Sequence, residues 1–431
     1  MRVYVESYGC SQNQGEGSAI ARDLAHHGHE VVGDPGRAEA GVLVTCGVIG
    51  STEARMVRRW EALSARIPRL YVTGCLVPLR TGLFAGPGRT RTTFVPIREQ
   101  NALPKLLAGT PASPTEVPDT TGSRLGVALD PPAPPATASE EVVLAQGCAS
   151  GCAYCFSRLA RGPLSSVPLA EVVARVRAAI SRGAREVRLT SLDTSAWGLD
   201  AVDGPRLPEL LRAIAEIPGD FSVRVGMMSP QTLAPIRSEH VAALADPRFY
   251  RFLHLPLQSG SDHVLSSMHR GYDAREFERS VGEARSRLPD LMLSTDVIVG
   301  YPGETEEDHR ATRELLERVQ PENVNVTRFS PRPGTPAARA AAVGATIAKR
   351  RSRELAALRQ RIARERFERW IGREGLARVV EYGPGTSAVA RLPNYLPVVL
   401  EERPPLGRVV PVRIDGARST YLLGRPVRKP F

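Results

Sequence analysis

Between residues 141 and about 340, strand-like runs alternate with helix-like segments, and no other feature limits the fold as strongly. The strand candidates are EVVLAQ (141–146), EVRLT (186–190), FSVRVGM (221–227), FYRFLHLPL (249–257), MLSTDVIVG (292–300) and NVNVTRF (323–329). Between them, segments such as LAEVVARVRAAISRG and TEEDHRATRELLERV carry apolar residues at helical spacing. Six βα units predict a parallel sheet curled into a partial (βα)6 barrel, with its site at the C-terminal ends of the strands. The stretch QGCASGCAYCFSRLARG (146–162) follows the first strand and holds half of the chain's six cysteines: Cys148, Cys152 and Cys155.

Residues 1–108 predict a separate Rossmann-like α/β domain. Strand-like runs at 2–9, 41–45 and 69–74 alternate with helix-like stretches at 16–28 and 51–66. Each run ends in a cysteine, Cys10, Cys46 and Cys75. In a parallel sheet the strand C-termini share one edge, so three thiols from distant parts of the chain converge there. A single buried cysteine is commonly a small hydrophobe; three at three strand ends point to a second site.

A proline-rich run over 109–140 lacks apolar periodicity and is expected to be a linker between this domain and the barrel of 141–348. A basic helix is expected over 349–374, since 349–378 holds eleven Lys or Arg against four Glu. The short β-rich runs of 375–431, broken by YGPG, RLPN and ERPPLG, predict a small antiparallel β-barrel.

The whole chain of 431 residues carries a formal charge of +11, which favours a polyanionic partner such as nucleic acid. Its N-terminus has no basic-then-apolar signal pattern, and no apolar run approaches the roughly 20 residues that span a bilayer. A cytoplasmic protein with no membrane association is therefore expected. In a reducing compartment, clustered cysteines more often hold metal than form disulfides. Soft thiolates select zinc, copper(I) or an iron–sulfur cluster, and structural zinc wants a fourth ligand that this triplet lacks nearby.

GCASGCAYC resembles the cluster-binding loop of radical S-adenosylmethionine (SAM) enzymes, including the aromatic Tyr154 before the last cysteine. The resemblance extends along the chain. YGCSQNQGE, VLVTCGV and VTGC look like the N-terminal domain of methylthiotransferases, and LARGPLSS, LPLQSGSDHVLSSMHRGY, TDVIVGYPGETEEDH and FSPRPGTPAA are similar to their barrel. The C-terminal β-region resembles their TRAM domain, an RNA-binding barrel. ARG, RVGM, YPGETEED and PRPGTPAA look closest to the archaeal and eukaryotic branch, which acts on threonylcarbamoyladenosine 37 of tRNA. The family pattern is altered at Val44, in NQGEGS (13–18) and at Val167, without touching a cysteine.

The resemblance implies two [4Fe–4S] clusters. One is held by the catalytic Cys148, Cys152 and Cys155, where SAM is cleaved to a deoxyadenosyl radical. The other is held by Cys10, Cys46 and Cys75, where a sulfur is methylated before insertion at C2 of the adenosine. Tyr154, Ser191, Asp193, Arg224, Gln258 and Asp296 are the remaining cofactor-binding candidates, with an Arg224–Asp296 ion pair as the structural alternative. His254 is expected to be structural, while the basic helix and Arg332 are candidate phosphate contacts. The expected partners are tRNA, SAM and an electron donor such as flavodoxin or ferredoxin, with a monomeric chain. The alternatives are the same chemistry on a ribosomal protein, peptide or small molecule, or a non-catalytic zinc- and RNA-binding protein.

Overall fold

The computed structural model describes residues 1–48, 50–109 and 138–427. Most of the run read as a proline-rich linker lies outside the described residues.

The N-terminal part is a five-stranded parallel sheet of β1 (Arg2–Ser7), β2 (Glu30–Val32), β3 (Ala40–Thr45), β4 (Arg69–Gly74) and β5 (Thr92–Phe94), ordered β2-β1-β3-β4-β5. The central strands β3 and β4 are apolar on both faces and buried, as a helix-flanked parallel sheet requires. The three-residue edge strands β2 and β5 are additions to the expected pattern, too short to show a period. The first helix spans Ser11–His26 and begins directly after Cys10. Its interior glycines permit close approach: a Cβ on Gly17 would lie 1.6 Å from Ser7 Oγ, and one on Gly15 would lie 3.0 Å from Glu141 Cβ. Helix-interior glycine costs roughly 0.5–1 kcal/mol relative to alanine, and here the small residue lets the helix pack against the barrel.

The barrel strands are β6 (Ser139–Val143), β9 (Glu186–Thr190), β10 (Ser222–Arg224), β11 (Phe252–His254), β12 (Met292–Val299) and β13 (Asn323–Arg328). A two-stranded ribbon of β7 (Ala145–Gln146) and β8 (Ser165–Ser166) flanks the first cysteine loop. Parallel ladders join β6-β9-β10 and β11-β12-β13, and parallel bridges Val223–Phe249 and Met227–His254 connect the two halves. The six strands thus form one open arc with β6 and β13 at its edges. Strands β10 and β11 are shorter than the apolar runs that suggested them, because those pairings reduce to isolated bridges.

Helix Ala345–Glu368 covers β13. Its Ala348 touches Gly300, just beyond the C-terminal end of β12, while Phe367 packs in the core that includes Tyr250 and Met292 at the opposite end. The helix therefore runs the full height of the barrel. Its arginines are largely committed internally: Arg350 and Arg351 reach Glu306 and Glu304, Arg361 reaches Glu317, Arg366 reaches Glu322, and Arg359 donates to Val324 O. The helix read as a candidate phosphate contact thus has part of its charge paired, much of it with the acidic helix Glu306–Val319 beside it.

Strands β14 (Glu374–Tyr382), β15 (Ala388–Arg391), β16 (Pro397–Leu400), β17 (Val409–Ala417) and β18 (Leu422–Pro426) close a barrel in the order β14-β15-β16-β18-β17. One pair, β16-β18, is parallel, which departs from the antiparallel expectation. This barrel docks on the N-terminal ends of the central strands. Arg378 pairs with Asp220 (2.5 Å), Asn394 donates to Asp290 O (2.9 Å), and Arg251 N donates to Pro393 O (2.9 Å). Tyr395, at φ 71°, inserts its ring against Tyr250 and Phe252, both at 4.9 Å. No described helix is long and apolar enough to cross a membrane.

Candidate active site

The C-terminal edges of the two sheets face each other. Cys10, Cys46 and Cys75 follow β1, β3 and β4; Cys148, Cys152 and Cys155 follow β6. Two tight backbone approaches shape the N-terminal set. Gly9 (φ 111°) sits against Cys46, where a Cβ would lie 2.8 Å from Sγ, and Gly74 (φ 95°) sits against Thr45, where a Cβ would lie 2.3 Å from its carbonyl oxygen. Asn13 ties the loops together by donating to Tyr8 O (2.7 Å) and Thr45 O (3.0 Å).

Cys46 and Cys75 are buried, and Cys10 is exposed at the N-cap of helix Ser11–His26. Burial pushes the Cys75 thiol up to about 11 and the Cys155 thiol up to about 12. Such thiols stay protonated alone and release protons only to a metal. Backbone N–H groups of Ser150 and Arg158 approach Cys148 Sγ (3.4 Å) and Cys155 Sγ (3.3 Å), and Arg270 approaches Cys152 Sγ (2.9 Å). Three donors thus await negative charge on the three sulfurs. Within each set the thiols feel one another's charge. Among the described residues no group of three or more His, Cys, Asp or Glu is arranged around a single metal ion. Three thiolates per set, with a glycine cradle or N–H donors around the sulfurs, fit a [4Fe–4S] cluster, which spreads its ligands over separate irons.

Arg161 joins the two sets. It ends the helix Phe156–Arg161 that follows Cys155, its side chain is 0% exposed, and it donates to Glu16 Oε1 (2.5 Å) and Oε2 (2.9 Å), Asn13 Oδ1 (2.6 Å) and Gln146 Oε1 (2.9 Å). Glu16 and Asn13 lie on the helix that follows Cys10. The Arg161 charge also acts on Cys10 and Cys75. A second clamp links Arg332, beyond β13, to Glu53 on helix Gly50–Ser64, which follows the Cys46 loop; Glu53 also meets Arg80 at 3.3 Å. Arg332 is buried and stacks on Phe156 at 4.6 Å, so its assignment as a phosphate contact is corrected: Glu53 occupies it. A buried guanidinium demands such a partner.

The remaining candidates divide by location. Tyr154 packs edge-on to Tyr301, with ring centroids 6.5 Å apart, beside the cysteine loop. Ser191 is buried with its hydroxyl lacking a hydrogen-bond partner among the described residues, so it has capacity for a ligand. Asp193 is buried and accepts from Ser195 (2.7 Å), Thr232 (2.7 Å) and Ser229 N (3.1 Å); burial outweighs these bonds and raises its pKa. Gln258 has φ 65°, a strained value for a non-glycine residue, with its backbone held between Asp296 and Ile298. Asp296 accepts from Asn325 (2.8 Å) and meets His254 Nε2 at 2.7 Å. Arg224 lies over Phe252 (4.9 Å) and Tyr395 (5.5 Å), towards the base instead of the mouth where it was expected. The structural alternative, an Arg224–Asp296 ion pair, does not form among the described residues: Arg224 lies on the two rings and Asp296 meets His254 and Asn325. Arg161, Glu16 and Arg270 were not singled out from sequence, although the quoted ARG, NQGEGS and HRGY stretches contain them.

Comparison with known proteins gives a matching account. The Radical SAM superfamily model matches residues 142–316, the Uncharacterized protein family UPF0004 model matches 2–84, and the TRAM domain model matches 369–427. A probable threonylcarbamoyladenosine tRNA methylthiotransferase of Pyrococcus abyssi is 36% identical over 98% of this chain and 99% of its own. The threonylcarbamoyladenosine tRNA methylthiotransferase of Xenopus laevis is 31% identical over 100% of this chain and 78% of its own. Among solved structures, the radical S-adenosylmethionine methyltransferase TsrM from Kitasatospora setae aligns with TM-score 0.59 at 15% identity, covering 78% of this chain and 76% of that one, and shares the fold. From these full-length matches, with a radical SAM domain set between a UPF0004 and a TRAM domain, the chain belongs to the threonylcarbamoyladenosine tRNA methylthiotransferase family.

Proposed function

We propose that this protein is the radical SAM enzyme that inserts a methylthio group at C2 of N6-threonylcarbamoyladenosine 37 of tRNA. Two [4Fe–4S] clusters and SAM are the family's cofactors. The observation that carries the reading is two three-thiol sets on facing sheet edges, linked through one buried arginine. Cys148, Cys152 and Cys155 would hold the cluster that binds SAM, and Cys10, Cys46 and Cys75 the auxiliary one. When bound, the first supplies the electron that cleaves SAM and the second carries the sulfur. The chain's own residues supply placement. Arg270, Ser150 N and Arg158 N donate towards the sulfurs, while Tyr154 and Tyr301 wall the cysteine loop with apolar surface. Ser191 offers a buried hydroxyl, while Gln258, in the segment after β11, and Asp296, within β12, are further candidate contacts.

Several finer assignments belong to the same reading. The domain limits are 1–108, 141–348 and 375–431, the electron donor is a protein such as flavodoxin or ferredoxin, and the chain works as a cytoplasmic monomer. The same chemistry on a protein or small molecule would use the same cysteines; the TRAM domain and the names of the relatives favour tRNA.

Mass spectrometry of nucleosides from tRNA incubated anaerobically with reconstituted protein, SAM, sulfide and reductant tests the substrate. A methylthio mass gain on threonylcarbamoyladenosine is expected. Deoxyadenosine formation with unmodified tRNA would keep the radical chemistry and reject this substrate.

A further inference from the structure

The surface that leads RNA to the mouth can be read from helix Ala345–Glu368. Charged helix faces are usually just solvated, so counting charge is not enough. Here the ion pairs sort the cations: the arginines beside the acidic helix Glu306–Val319 are bound to it, while Lys349, Arg353 and Arg364 are exposed and have no ion-pair partner among the described residues. At 100° per residue, these three and Gln360 fall within about 60° of arc, opposite the face that buries Leu355, Leu358 and Ile362. No carboxylate of the helix falls inside that arc. The ridge from Lys349 to Arg364 extends about 22 Å at 1.5 Å per residue.

Its ends give it a direction. Ala348 touches Gly300 and Arg351 pairs with Glu304, in the loop after β12 at the mouth where the cysteine sites lie. Phe367 is buried in the core of the C-terminal barrel at the base. The RNA-binding domain and the cysteine sites therefore stand at opposite ends of the central barrel. A substrate that contacts both must pass along its side.

We propose that Lys349, Arg353 and Arg364 form a phosphate track along which the RNA backbone passes from the TRAM barrel to the active-site mouth. The proposal rests on the tRNA reading above and deepens it by assigning a surface. The ridge is positive and free of large apolar side chains, which suits a phosphate backbone better than a protein partner.

The test compares the salt dependence of tRNA binding by reconstituted wild type, K349E/R353E/R364E, and a control R177E/R275E/R313E. The control reverses three exposed arginines on other barrel helices and gives the same net charge. Loss of three phosphate contacts is expected to flatten the slope of log K against log salt by about 2.7, so affinity gained between 200 and 50 mM salt falls by about 40-fold. The control should retain most of the wild-type slope, and RNA-independent SAM cleavage should be unchanged in both variants. An equal slope in the ridge variant and wild type would overturn the track. If wild type methylthiolates tRNA in that case, the functional reading stands; if wild type does not bind tRNA, both fail.

Discussion

Replacing Arg161 by Met leaves Glu16 buried without its counter-charge, and breaking a buried pair in this way costs about 3–5 kcal/mol. Urea unfolding should show that loss, with a transition in which the N-terminal part separates first. Arg161→Lys keeps the charge but cannot span Asn13, Glu16 and Gln146 at once, so it should recover only part of the stability. Wild-type stability in the Met variant would remove the clamp. Ser191→Ala tests the opposite case, a polar atom without a partner. Apo stability should stay within about 1 kcal/mol of wild type, while SAM affinity measured by calorimetry falls about fivefold to tenfold, the value of one hydrogen bond. Unchanged affinity would exclude Ser191 from the SAM site. His240 supplies a pH prediction. Burial pushes its imidazole down to about 4, and neither ring nitrogen has a partner among the described residues. The unfolded chain binds that proton near pH 6.5, so stability is complete above this value and falls by about 3 kcal/mol as pH drops to about 4. His240→Leu should flatten this part of the profile; an unchanged slope would assign it to other groups. At this scale the six cysteines were legible because their positions at strand ends are local signals. Arg161 was not, because its partner Glu16 lies 145 residues away.

Helix Ala345–Glu368 shows what composition misses in an element. Eleven basic residues in its vicinity suggested one cationic surface, yet the fold turns part of that charge inward. Glu322 is the clearest anchor: it is buried, accepts from Arg366 Nε (2.7 Å) and Arg285 (3.3 Å), and caps Leu293 N (2.8 Å). Glu322→Gln keeps the shape and removes the charge opposite both arginines. A loss of about 2–3 kcal/mol is expected, with faster hydrogen exchange over residues 355–368. Exchange unchanged in this helix would show that apolar packing alone holds it. The strand pattern was more legible than the charge pattern. A buried parallel strand such as β3 is a nearly continuous apolar run that announces itself, whereas β10 and β11 shrink to three residues because tertiary pairing decides their ends.

Across the whole molecule, the α/β domain, the six-strand arc and the small terminal barrel were all legible, since each follows from a local period. Their docking was not. The N-terminal sheet meets the mouth through Arg161 and Arg332, and the C-terminal barrel meets the base through Arg378, Asn394 and Tyr395, contacts between residues far apart in the chain. The proposed function gives one half of the chemistry to each three-cysteine set. The measurement that tests this division most directly is the yield of 5′-deoxyadenosine and of methylthiolated tRNA nucleoside from the reconstituted variant C10A/C46A/C75A. The account predicts that deoxyadenosine continues to form and that the methylthio product disappears. Methylthiolated nucleoside at the wild-type level would contradict it.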